Sequence, residues 1–178
     1  MSTRNATKTE TVDTTWARLA SRAIRVALAR RDMSYAQLAD ALTSMGLAES
    51  ARSVEGKIQR GTFRFTFFLQ TLAAANNEYP EQWAAALQSR ASWEGRAASV
   101  IETELATQPW LDGAKLSQRL AEIGVQVEAD TLWGQIVGGT LSTTLFFQCA
   151  AVCRFTNLQF FLDGRDLNGA AVAGASIR

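Results

Sequence analysis

Apolar side chains recur along this chain at the three- and four-residue spacing of an amphipathic α-helix. Trp16, Leu19, Ala23 and Ala27 share one helical face, and the polar segment 13–15 before them can cap a helix start. The same spacing returns downstream, and only two prolines interrupt the chain. Because alanine is abundant and β-branched residues do not dominate, the pattern predicts an all-α protein.

Three further helices are expected in the first half of the chain. Ser34 and Gln37 stand three residues apart, as in a capping box, and Gly46 stands where the helix that they open would end. A short third helix is expected over about residues 50–60, and an aromatic-rich fourth helix over about residues 65–76. The third helix carries few apolar side chains, so its other faces are expected to point outward.

The chain contains an internal repeat. A shift of 78 positions aligns LADALTSMG, residues 38–46, with LSQRLAEIG, residues 116–124, and the match continues without a gap into the aromatic segment. Upstream the offset is 77, so that Trp16 meets Trp93. The sequence therefore predicts a tandem of two units with four to five helices each. The predicted parts are a flexible N-terminal tail (1–14), a basic first repeat (15–78), a connecting helix (79–92), a second repeat (93–166) and a flexible C-terminal tail (167–178).

The residue types on which most enzymes depend are scarce in this sequence. Histidine does not occur, which removes the commonest general base and the Ser/His and Cys/His nucleophile pairs. The acidic residues are scattered singly, and no glycine-rich phosphate loop is present. We therefore expect a protein that is not an enzyme and that uses neither a metal nor a cofactor.

The spacing of the cysteines and the length of the apolar segments indicate the cellular location. Cys149 and Cys153 lie four residues apart on one expected helix, a spacing that suits reduced core cysteines better than a disulfide. No leader pattern is found, and no apolar run approaches the roughly 18 residues of a membrane span. These features predict a cytoplasmic protein without a membrane partner.

The first repeat resembles the phage-repressor type of helix-turn-helix. The resemblance is carried by Leu38, Ala39, Leu42, Gly46, Ile58, Gly61 and the segment 67–74. The string KIQRGTFRFTFFLQTL, residues 57–72, is also similar to an uncharacterised bacterial domain family of unknown function with an RGTF core, present here twice. The resemblance implies two tandem helix-turn-helix-like units, in which the helix over residues 50–60 would enter the major groove of DNA.

The two repeats differ in charge. Nine Lys and Arg stand against four Asp and Glu in residues 16–77, whereas residues 79–178 have seven against ten. The basic residues Arg52, Lys57, Arg60 and Arg64 correspond to Asp130, Gln135, Gly138 and Ser142. Because nonspecific affinity for DNA comes largely from Lys and Arg that neutralise phosphates, we expect only the first repeat to contact double-stranded DNA.

Seven residues are candidates for the nucleic-acid contact. They are Ser50, Arg52, Ser53, Lys57, Gln59, Arg60 and Arg64. Other roles stay open for several of them: the serines could cap the helix, and Lys57 and Arg60 could favour its C-terminal dipole. The upstream cations Arg18, Arg22 and Arg25 could form only a solvated helix face, while Phe65 could stack on bases.

The second repeat has apolar residues where the first has acidic ones. Val127 replaces Glu49 and Trp133 replaces Glu55, which predicts an association surface, although Trp133 could instead fill its own core. The leading hypothesis is a homodimeric DNA-binding protein, a bacterial transcriptional regulator or accessory factor. The alternatives are a protein-interaction module without nucleic acid, and a protein that binds RNA or single-stranded DNA.

Overall fold

A computed structural model describes residues 3–176 of the chain, with side chains described for residues 12–176. This part contains ten α-helices and no β-strand, which confirms the all-α prediction. The helices are α1 (Thr3–Arg30), α2 (Tyr35–Ser44), α3 (Ala51–Arg60), α4 (Phe65–Ala74), α5 (Ala84–Leu87), α6 (Trp93–Leu105), α7 (Gly113–Glu122), α8 (Ala129–Gly138), α9 (Thr143–Cys153) and α10 (Gly164–Ala175). None of these helices combines the length and the apolar composition that crossing a membrane requires.

The predicted start and stop signals of the first repeat are present in the structure. The Ser34 Oγ accepts a hydrogen bond from the Gln37 backbone N–H at 3.2 Å, and the Gln37 Oε1 accepts one from the Ser34 N–H at 2.8 Å. These reciprocal bonds satisfy two amide donors that the first turn of α2 would otherwise leave unpaired. Gly46 follows α2 in the left-handed region, with φ +83°. The capping box and the glycine stop are therefore confirmed.

The helices of the two repeats correspond one to one. The sequence offsets place α1 on α6, α2 on α7, α3 on α8 and α4 on α9. Each third helix ends at a left-handed glycine, Gly61 with φ +68° and Gly139 with φ +65°. The tandem of equivalent helical units that the sequence predicts is confirmed.

The two repeats exchange their first helices. α1 packs against α3 of its own repeat and also against α9 of the second repeat. Reciprocally, α6 packs against α8 of its own repeat and against α4 of the first repeat. The buried apolar side chains of both repeats consequently form one continuous cluster, and the repeats are not separate domains with separate cores.

Equivalent residues meet where the repeats face each other. Arg64 and Ser142, which are 78 positions apart, form an antiparallel bridge. The Phe65 N–H donates to the Leu141 carbonyl at 3.0 Å, and the Thr143 N–H donates to the Phe63 carbonyl at 3.0 Å. Such a reciprocal pair of contacts is what a two-fold axis produces in a dimer, so the chain folds as an intramolecular pseudo-dimer.

Phe65 lies in the core beside this axis. Its side chain is fully buried, and its ring stacks on Phe146 with 4.0 Å between the ring centroids. The hypothesis that Phe65 stacks on bases is therefore wrong, because the ring already packs between the two repeats.

Both tails were predicted to be flexible, and their described residues are helical in the structure. Helix α1 begins at Thr3, because no glycine or proline precedes Gly46 and a nucleated helix gains one hydrogen bond for each added residue. Residues 164–175 form α10, which packs against α1 and α9. Helix α10 also approaches the end of α7 closely, since a Cβ on Gly174 would lie 2.0 Å from the Ile123 carbonyl oxygen. Residues 1–2 and 177–178 of the predicted tails lie outside the described residues.

The connecting helix expected over residues 79–92 is much shorter in the structure. A 3-10 turn at Glu81–Trp83 leads into the four-residue helix α5. The Ser89 hydroxyl then donates to the Ala86 carbonyl at 2.8 Å, and Ser92 caps α6. Serine side chains that bond to the backbone in this way compete with continued helix formation.

The cysteines agree with the prediction of reduced core residues. Cys149 and Cys153 are both buried and free. Burial raises the pKa of the Cys149 thiol far above its ordinary range and raises the pKa of Cys153 to about 11. Thiols with raised pKa values carry little thiolate at neutral pH and are poor nucleophiles.

Gly61 supplies a test of the contact between α1 and α3. A Cβ at this position would lie 2.0 Å from the Ala17 carbonyl oxygen, so we expect Gly61→Ala to push the two helices apart. The expected loss in the free energy of unfolding is roughly 4 kcal/mol, the range of the largest single-residue effects, measured by urea denaturation. Gly46→Ala is the matched control, because Gly46 shares the positive φ but has no atom within 4 Å of its Cβ position. The free energy of unfolding of Gly46→Ala should fall by only about 1 kcal/mol. Equal losses for the two variants would contradict the close contact between Gly61 and α1.

Candidate nucleic-acid interface

Helix α3 presents a polar outer face, as its spacing predicts. Val54 and Ile58 are fully buried and fasten the helix to the core. Arg52, Gln59 and Arg60 are exposed on its other sides. The Ser50 Oγ accepts a hydrogen bond from the Ser53 N–H at 3.1 Å and so caps the helix start.

Three of the candidate cations are exposed and have no ionic partner. Arg52 lies in the first turn of α3, Arg60 in its last turn, and Arg64 precedes α4 beside the pseudo-two-fold axis. None of them belongs to an ion pair formed by the described side chains. Their positive charges are thus available to an anion from outside the protein.

Lys57 differs from these arginines because its charge is satisfied within the protein. Its Nζ forms an ion pair with the Glu49 Oε1 and lies 5.1 Å from the centroid of the Phe67 ring. The second Glu49 carboxylate oxygen accepts a hydrogen bond from the Ser53 Oγ at 2.7 Å. The structure therefore places Ser53 and Lys57 in a network around Glu49, and it does not bring Lys57 together with the unpaired arginines.

Gln59 lies at the edge of α3 that faces α1. Its Nε2 donates to the Glu55 Oε1 at 3.1 Å, one helical turn earlier. Both side chains are exposed, and such pairs contribute only a few tenths of a kcal/mol, about 0.2–0.5. Gln59 can exchange this partner for an external one at little cost.

A groove of about 350 Å³, lined by three arginines, lies between the end of α3 and α1. Arg18 and Arg25 line it from α1, and Arg60 lines it from α3. Sequence reasoning did not select Arg18 or Arg25, although their seven-residue spacing places them on one side of a helix. The sequence alone could not select these two arginines, because only the packing of α3 against α1 brings Arg60 to the same groove.

Arg22 has a different environment from its neighbours on α1. Its Nη1 forms an ion pair with the Asp166 Oδ2 of α10 at 2.9 Å. These three arginines, Arg18, Arg22 and Arg25, are all exposed, as a solvated face would be, but of the three only Arg18 and Arg25 reach the groove beside α3.

The second repeat has an apolar groove that partly overlaps the equivalent place. This groove measures about 430 Å³ and lies between α6 and α8. Three lining positions are equivalent in the two grooves. The first repeat has Ser21, Arg25 and Gln59 at these positions, and the second repeat has Ala98, Glu102 and Val137. The positive charge of Arg25 is therefore absent from the groove of the second repeat.

Trp133 lines this apolar groove and does not fill its own core. Its side chain is 40% exposed, and that of Val137 is 65% exposed. Val127 lies in the connection between α7 and α8, half-buried against the core. The structure therefore confirms an exposed apolar surface at Trp133 and places Val127 apart from the residues that line the groove.

The structure offers no obvious metal site in the part that it describes. No group of three or more Cys, Asp or Glu side chains among the described residues comes together in a way that could hold an ion.

The different environments of Lys57 and Arg52 predict different effects on stability. We expect Lys57→Ala to lower the free energy of unfolding by about 1 kcal/mol, because it removes a half-buried ion pair and a cation–π contact. Arg52→Ala, the control, should stay within about 0.5 kcal/mol of wild type, as surface substitutions usually do. Urea denaturation of both variants gives the comparison, and an equal loss would mean that Glu49 does not hold Lys57 in solution.

Comparison with known proteins identifies a family without a described activity. The model of a domain of unknown function, DUF6471, matches residues 16–79 and again residues 93–158. A search of curated proteins and a search of solved structures found no match to this chain. The two matched regions correspond to the two repeats and together cover most of the sequence, so this chain belongs to the DUF6471 family and contains its domain twice.

Proposed function

We propose that this protein binds double-stranded DNA through its first repeat and associates with a second copy of itself through its second repeat. In this proposal α2, the turn at Gly46 and α3 act as a helix-turn-helix, and α3 contacts the duplex. The protein would serve as a transcriptional regulator or accessory factor.

The observation that carries the DNA proposal is the set of unpaired arginines in the first repeat. Arg52, Arg60 and Arg64 are exposed without an ionic partner among the described side chains. Cations in such a position release condensed counterions when they neutralise DNA phosphates. The equivalent positions of the second repeat hold Asp130, Gly138 and Ser142, so the fold itself does not require these charges.

Association through the second repeat is supported by a separate observation. Trp133 and Val137 expose apolar surface at one groove, although the equivalent residues Glu55 and Gln59 are polar. Exposed apolar surface of this kind is typical of contacts with other proteins. A second copy would also supply a second α3, and readers that use one short helix usually combine two half-sites.

The DNA proposal is tested by fluorescence anisotropy of a labelled duplex over a salt series from about 50 to about 200 mM. We expect Arg52→Gln/Arg60→Gln to weaken binding at least about tenfold and to reduce the slope of log K against log salt by about 2, one unit for each lost phosphate contact. Arg90→Gln/Arg165→Gln is the charge-matched control, since both arginines are exposed outside the first repeat. Equal effects of both pairs, or no binding by wild type at the lowest salt, would contradict the proposal. A labelled single strand measured in parallel shows whether the duplex is preferred.

The association proposal is tested by light scattering during size-exclusion chromatography, over a range of protein concentrations. We expect wild type to have the mass of a dimer and Trp133→Glu/Val137→Gln to have the mass of a monomer. These substitutions give the second repeat the polar residues that the first repeat carries at positions 55 and 59. Val172→Gln is the control, because Val172 is 64% exposed on α10, away from this groove. A monomeric wild type would contradict self-association.

A further inference from the structure

We infer that the groove between α1 and α3 is a phosphate-binding site in which Arg18, Arg25 and Arg60 hold the phosphate group. Where the phosphate belongs to the DNA backbone, the inference rests on the proposed function and adds a second helix, α1, to the DNA interface. Where the phosphate belongs to a free ligand, the inference does not depend on DNA binding. The chemistry is the same in both cases, namely guanidinium groups around a phosphate.

The walls of the groove are fixed by a close contact between backbones. Gly61, at the end of α3, approaches α1 so closely that a Cβ there would lie 2.0 Å from the Ala17 carbonyl oxygen. Arg18 follows Ala17 directly, and Arg60 precedes Gly61 directly. The contact that joins the two helices therefore places one guanidinium from each helix at the same groove.

The positions of Arg25 and Arg60 are also supported by their neighbours. The Ser21 side chain is only 2% exposed, and its Oγ accepts a hydrogen bond from the Arg25 Nη2 at 3.0 Å. The Arg60 side chain folds back along α3, where a Cβ on Gly56 would lie 3.1 Å from its Nη1. The hydrogen bond to Ser21 thus orients the Arg25 guanidinium, which lowers the entropy that binding a phosphate would cost.

The charge of the groove is strongly positive. Among the described side chains, three guanidinium groups line it against the single carboxylate of Asp13, and none of these arginines belongs to an ion pair with another described side chain. The Gln59 amide and the Thr62 hydroxyl also line the groove. Guanidinium groups bind phosphate oxygens in a bidentate manner, and amides and hydroxyls commonly complete such sites. The volume of about 350 Å³ lies at the lower end of the range of small-ligand pockets.

The second repeat shows that the fold does not require this chemistry. Arg18, Arg25 and Arg60 correspond to Gly95, Glu102 and Gly138, and the buried Ser21 corresponds to Ala98. Gly139 nevertheless makes the same close approach to α6 that Gly61 makes to α1, with 1.9 Å between its Cβ position and the Glu94 carbonyl oxygen. The backbone contact is thus common to both repeats, whereas the arginines are specific to the first.

The groove also borders the outer face of α3. Arg60 belongs to both surfaces, because it is exposed in the last turn of α3 and lines the groove. A DNA strand in contact with α3 would consequently bring one of its phosphates to α1. The guanidinium groups of Arg18 and Arg25 add to that contact without touching a base, so their effect should not depend on the DNA sequence.

The test uses the full chain with two probes, inorganic tripolyphosphate in isothermal titration calorimetry and a labelled duplex in fluorescence anisotropy. The variant is Arg18→Gln/Arg25→Gln, which leaves Arg60 on the α3 face unchanged. The matched control is Arg22→Gln/Arg90→Gln, because Arg22 lies on the same helix but pairs with Asp166 outside the groove. Arg25→Lys keeps the charge and removes the planar fork, so it separates bidentate binding from simple attraction. Thermal unfolding of each variant verifies that the fold is retained.

We expect Arg18→Gln/Arg25→Gln to weaken tripolyphosphate binding about tenfold or more, with the control close to wild type and Arg25→Lys between them. A parallel loss for duplexes of different sequence, with a salt slope reduced by about 2, identifies the ligand as the DNA backbone. If the variant loses binding of tripolyphosphate but not of DNA, the ligand is a free phosphorylated molecule. The same conclusion holds when wild type binds no DNA and the proposed function fails. Unchanged binding of tripolyphosphate overturns the inference, while DNA binding that depends on Arg52 and Arg60 would leave the proposed function intact.

Discussion

The exchange of first helices between the repeats is the constraint on which the rest of this structure depends. Helix α4 is rich in large apolar side chains, and α6 of the other repeat covers part of its surface, as α1 covers part of α9. A single repeat of this size could bury only a modest fraction of its apolar surface. By exchanging helices, the repeats build one core that contains the stacked rings of Phe65 and Phe146. Each repeat therefore completes the core of the other.

The pseudo-two-fold symmetry separates what the fold needs from what one repeat does. The glycines at the symmetric contacts are retained, since Gly61 and Gly139 both pack on a first helix, and the bridge between Arg64 and Ser142 needs only their backbone groups. The outward side chains of the same elements are not retained, since arginines face one groove and alanine and valine face the other. A fold does not determine its function, and here one fold carries two different surfaces.

The sequence predicted the features that depend on local chemistry or on the repeat. The capping box at Ser34, the stop at Gly46 and the buried face of α3 all follow from short-range patterns. The sequence did not predict α10, because Gly174 packs through the absence of a side chain, and a glycine carries no apolar signal. The interlocking of the repeats was also missed, since an internal repeat shows that two units are alike and not whether they exchange helices.

The candidate site was predicted in part for the same reason. Arg52, Arg60 and Arg64 stood out because the second repeat lacks them, and the structure leaves them without ionic partners among the described side chains. The same comparison also selected Lys57, although Glu49 accounts for its charge. That ion pair joins residues eight positions apart, across the start of α3. Arg18 and Arg25 could be recognised only after the packing of α3 against α1 was known.

The symmetry also determines how the two proposed surfaces can be used together. The groove of Arg25 and the groove of Trp133 share three equivalent positions, and the pseudo-two-fold axis beside Arg64 and Ser142 relates those positions. Positions related by a two-fold axis lie on different parts of the surface, so a ligand at one groove does not occupy the other. Association through the second repeat would therefore leave the α3 face of both chains exposed. In such a dimer the axis between the chains lies at the second repeats, and the two α3 helices stand apart as readers of two half-sites must.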